Sequence, residues 1–80
     1  MKPPQFQGAK TDDAHEFLTL SREMLAVVRM LDERGVRFVS LQLRGASREW
    51  LRTFMSSRPA TSPPMDWGEF ASAFEGRFIP

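Results

Sequence analysis

Apolar residues in this chain recur in runs with helical spacing, and prolines, glycines and short polar stretches separate the runs. The first run contains Ala14, Phe17, Leu18, Leu20, Met24, Leu25, Val27, Val28 and Leu31. Spacings of three and four residues dominate, as one face of a long amphipathic helix requires. Asp12 or Asp13 is the expected start, because Glu16 follows Asp13 by three residues. That arrangement resembles a capping box and suits the helix dipole. Arg22, Glu23 and Arg29 are left for water.

Gly35 permits a break after Asp32-Glu33-Arg34, and Val36, Val39, Leu41 and Leu43 then carry an apolar pattern up to Gly45. Val39, Leu41 and Leu43 alternate with Ser40 and Gln42 as a strand would, although Val36 and Phe38 fall on the opposite face. An isolated strand would find no partner in this chain, so the segment is expected to be a second helix. A third helix is expected from about Ala46 to Ser56, with Trp50, Leu51, Phe54 and Met55 on one face.

The stretch from Ser57 to Pro64 holds three prolines among small polar residues and is expected to be a surface loop with no packing of its own. Asp66 then caps a last helix in which Trp67, Phe70, Phe74 and Phe78 form an aromatic stripe, and Pro80 ends it. Stopping there, the chain is expected to be part of something longer. At the other end, Pro3, Pro4 and Gly8 disfavour helix, so residues 1–11 form an extended arm pinned by Phe6, and residues 12–80 form the lobe. The predicted fold is all-α, a small four- to five-helix bundle with an extended N-terminal arm. Its expected core holds Phe17, Leu18, Leu25, Leu43, Trp50, Phe54, Trp67, Phe70 and Phe74.

Composition narrows the function. The chain has 80 residues, so stability comes from one small core, and the absence of cysteine removes disulfides, thiolate zinc sites and a thiol nucleophile. Eleven Lys and Arg against ten Asp and Glu give no strong overall pull toward nucleic acid or an anionic membrane. The longest apolar stretch, Met24 to Leu31, is interrupted by Arg29 and too short to span a bilayer, and no signal-peptide core precedes it. A soluble, cytoplasmic protein is expected.

His15 stands in a first helical turn without a second His or a Cys to share a metal. Asp12, Asp13, Glu16, Glu69 and Glu75 are explained by helix starts and polar faces, and the five glycines form no phosphate-binding loop. No catalytic residue, metal site or cofactor is therefore expected, and the chain does not read as an enzyme. Arg44, Arg48 and Arg52, four residues apart, would form a basic stripe for phosphate, RNA or an acidic partner if one helix carried all three, but an ordinary solvated face explains them better.

Three spaced motifs go beyond composition. They are Pro4-Gln5-Phe6-Gln7-Gly8 with Ala14-His15-Glu16-Phe17-Leu18, then Leu43-Arg44-Gly45-Ala46-Ser47-Arg48-Glu49-Trp50, then Trp67-Gly68-Glu69-Phe70 leading to Phe74-Glu75-Gly76-Arg77-Phe78-Ile79-Pro80. In this order they resemble the N-terminal capsid lobe of Gag from gypsy-type long-terminal-repeat retrotransposons, a family that includes domesticated, Arc-like relatives. Trp50 matches the family tryptophan, Ser47 stands where alanine is frequent, and Leu51 replaces a frequent second aromatic. The resemblance implies a structural lobe that joins a second capsid lobe and assembles with itself into a virus-like particle. RNA packaging would be indirect, because no zinc knuckle follows. It also implies an alternative, a domesticated lobe that binds short peptides or proteins in an apolar groove. The residues expected in the core or lining that groove are Phe6, Phe17, Leu43, Trp50, Phe54, Trp67, Phe70 and Phe74.

Overall fold

Three helices of this protein begin at an aspartate whose carboxylate accepts a backbone N–H of the first turn. Asp13 accepts from Glu16 at 2.8 Å, Asp32 from Arg34 at 3.0 Å and Asp66 from Glu69 at 2.9 Å. The computed structural model describes residues 5–8 and 13–79. Within them lie α1 (Ala14–Val27), α2 (Glu33–Ser40), α3 (Gly45–Ser57) and α4 (Trp67–Phe78). The alternative start at Asp12, the boundary between residues 11 and 12, and Pro80 lie outside the described residues.

The α1 helix stops earlier than its apolar pattern suggests. Met30 N–H reaches back to the Leu25 carbonyl at 2.8 Å and Arg29 N–H to Ala26 at 3.2 Å, while Arg29 takes a φ of 55°. This is a Schellman termination with a non-glycine residue in the left-handed position. Leu31, expected inside the helix, lies beyond it and is exposed, as are Leu20, Val27 and Val28.

The expected break at Gly35 is also corrected, because Gly35 lies inside α2 and is buried. A Cβ there would stand 1.9 Å from the Met30 carbonyl oxygen, so the residue serves close approach of two backbone segments. Asp32, at the helix start, is held below the usual carboxylate range chiefly by side-chain hydrogen bonds from the Arg34 guanidinium.

The second helix ends at Ser40 and does not run on to Gly45. Leu43 forms a single parallel bridge with Phe6, in which Phe6 N–H donates to Gln42 O at 3.1 Å and Arg44 N–H donates to Phe6 O at 2.8 Å. The arm is thus the partner that the sequence reading did not find, although the pairing reaches Leu43 alone: Val39 lies in α2 and Leu41 follows it in helical conformation.

The core joins Phe6, Phe17, Leu18, Leu25, Val36, Val39, Leu43, Leu51, Met65, Trp67, Phe70 and Phe74. It sits around α4, which contacts both α1 and α2. Trp50 and Phe54, expected in the core, are half-buried and pack against its edge, while Leu51 takes the inner position on α3. The proline-rich loop is mostly exposed. Arg58 nevertheless ties it to α4 through the Glu69 carboxylate and the Pro63 carbonyl, both at 2.9 Å, and Met65 buries the loop's end.

Candidate functional site

Phe6 determines what the arm can do. Its ring lies 5.3 Å from Phe17, 5.1 Å from Phe74 and 5.0 Å from Phe78 between centroids, the last two edge-on, so one arm residue fills the space between α1 and α4. The backbone around it is fully engaged. Besides the bridge to Leu43, the Gln7 carbonyl accepts Ser47 N–H at 3.0 Å. The buried Ser47 hydroxyl lies 2.7 Å from both Phe6 O and Arg44 O, and its oxygen accepts Arg44 N–H at 3.2 Å. A small residue is needed here because the arm crosses directly over the start of α3; a hydroxyl adds a clasp between arm and helix. Sequence reasoning noted Ser47 only as a small residue; its hydroxyl in the first turn of a helix that begins at Arg44, which has no capping oxygen, was the signal that could have marked it.

The resemblance implies a groove lined by the arm and the aromatic helix; here the Phe6 ring fills the space between α1 and α4. Phe17, Leu43, Phe70, Phe74 and Trp67 are all buried and offer no open surface. Trp50 stacks on Phe54 at 5.8 Å and meets Phe78 edge-on at 5.3 Å, which closes the outer end of the cluster.

Open apolar surface lies elsewhere. Between α2 and α3 runs a groove of about 400 Å³ lined by Ser40, Leu41, Arg48, Glu49, Leu51, Arg52 and Met55. A second hollow of about 390 Å³ shares Ser40, Leu51 and Met55 with it and extends past Arg37 to Met65. The exposed Leu41 (57%) and Met55 (45%) provide its apolar character.

The expected basic stripe is divided. Arg44 is the residue before α3, and its guanidinium caps the end of α2 by donating to the carbonyls of Leu41 and Leu43. Arg48 and Arg52 remain exposed along the groove. Among the described residues, no group of three or more His, Cys, Asp or Glu is placed to hold a metal, and no helix is long and apolar enough to cross a membrane.

Residues 1–79 match a family model described as the N-terminal capsid-like domain of the retrotransposon-derived protein PEG10. No curated protein and no solved structure matches the chain.

Proposed function

The chain belongs to the family of N-terminal capsid-like domains of the retrotransposon-derived PEG10 type, and from that premise we propose that it is a structural Gag lobe that assembles with copies of itself and with a second capsid lobe into a virus-like particle. One observation supports this reading most directly. Exposed large apolar residues are gathered at two places, α1 with the turn after it (Leu20, Val27, Val28, Leu31) and the α2–α3 groove (Leu41, Met55). Small separate patches on one rigid lobe suit contacts that are weak singly and strong when many copies act together. The lobe's work on this reading is cytoplasmic and non-catalytic.

The alternative of a domesticated peptide-binding lobe has less support, since the Phe6 ring fills the space between α1 and α4. Direct RNA contact is weakened in the same way: with Arg44 engaged on α2, the stripe falls to Arg48 and Arg52.

Sedimentation of the 80-residue chain over a wide concentration range tests the proposal. A mass that rises with concentration and reverses on dilution is expected. A strict monomer up to about 1 mM, where association is worth only about 4 kcal/mol, would overturn it.

A further inference from the structure

The two apolar surfaces left open on the folded chain carry opposite charge. On α1, Leu20 (43% exposed) and Val27 (84%) lie on one outer face, with Met24 half-buried beside them. Glu16 and Glu23 fall on that same face, because Glu16, Leu20, Glu23 and Val27 recur at spacings of four, three and four. In the α2–α3 groove the order is matched with the sign reversed. Arg48 and Arg52 line it beside Leu51 and Met55 from α3, and Leu41 adds to it from the end of α2. Glu49 lines the groove as well, so its two arginines leave it with a net positive charge.

Among the described residues none of these charges is in an ion pair: the pairs found there are Arg34–Asp32 and Arg58–Glu69. The α1 face and the groove share no residue, so one copy can present either surface to another copy. Symmetric pairings are disfavoured on both sides, since α1 against α1 would oppose glutamates and groove against groove would oppose arginines. Head-to-tail pairing removes both conflicts.

Resting on the capsid reading, we infer that the outer face of α1 docks into the α2–α3 groove of a second copy, with Glu16 and Glu23 facing Arg48 and Arg52. Such a contact is heterologous. Each copy uses both surfaces at once, and repetition gives a ring or an open array. The charges set register and partner sense, while Leu20 and Val27 against Leu41 and Met55 supply the apolar burial.

The test uses two charge-reversed chains, E16R/E23R and R48E/R52E, whose altered side chains are exposed; circular dichroism confirms that each folds. Association is followed by sedimentation and by amide chemical shifts over a dilution series. The parent is expected to associate, with shifts changing along α1 and along the α2–α3 groove. Each variant alone should associate at least about tenfold more weakly, and an equimolar mixture should recover association, because each then offers the other a complementary face. Variants that associate like the parent, or a mixture that stays monomeric, would overturn this contact while leaving self-assembly standing. A parent that shows no association up to about 1 mM would overturn both.

Discussion

At Arg29 the backbone turns through the left-handed region with φ 55°, where a side chain costs about 1–2 kcal/mol and glycine nothing comparable. Arg29→Gly keeps the backbone bonds of the termination and removes that cost, offset in part by the larger unfolded-state entropy of glycine. A gain of about 0.5–1 kcal/mol is expected, read as a higher melting temperature. Six residues on, the reverse holds. Gly35→Ala would gain about 0.8–1 kcal/mol of helix propensity, yet its Cβ would meet the Met30 carbonyl at 1.9 Å, and a backbone atom cannot swing aside. A net loss of about 1–2 kcal/mol is expected, a fall of several degrees in a domain of this size. A variant as stable as the parent would show that α2 can shift away from the turn. These two residues also explain why the sequence misplaced the break. Residue type points to the glycine, while the chain turns where Leu25 and Met30 can close a Schellman motif around an arginine.

Helix starts were legible because a carboxylate before an apolar run satisfies N–H groups that nothing else reaches, and Asp13 and Asp66 do so at the expected places. The aromatic stripe of α4 was legible by its spacing, and Phe70 and Phe74 are buried at the centre. The segment after α2 was not legible, because its pairing partner lies 37 positions earlier in an arm with too few residues to show a pattern. Trp50 and Phe54 were misjudged for a related reason: periodicity puts them on the apolar side of α3, but Leu51 takes the inner position and the two rings lie at the rim. As for the arm, Phe6→Ala should cost about 3–5 kcal/mol, as large-to-small changes in a core do. Its thermal or urea midpoint should fall well below that of the parent. An unchanged midpoint would show that the arm is an accessory to the lobe. The candidate site was legible only in part, since Arg48 and Arg52 were marked by spacing whereas Leu41 and Met55 were read only as apolar positions of their helices, and the bundle leaves them exposed.

Seen whole, the lobe combines a core shared by both ends of the chain with an outer surface on which apolar residues and charge are divided between α1 and the α2–α3 groove. The division matters because Phe6 of the arm fills the space between α1 and α4, so that among the described residues the exposed large apolar side chains lie on the outer surfaces. The docked arm also bears on how the lobe comes into being. Within the lobe, Phe6 is made before the four helices, whereas its ring partners Phe74 and Phe78 lie in the last of them and its backbone partners Leu43 and Ser47 lie between. Most contacts of a helical bundle are local and form early; this one spans the lobe from the arm to α4 and must wait until α4 has been made. A prematurely terminated product lacking α4 would leave Phe6, Phe17 and Leu43 without their cover, as sticky apolar surface that chaperones and proteases recognise. The arm thus acts as the latch that distinguishes a finished lobe from an unfinished one.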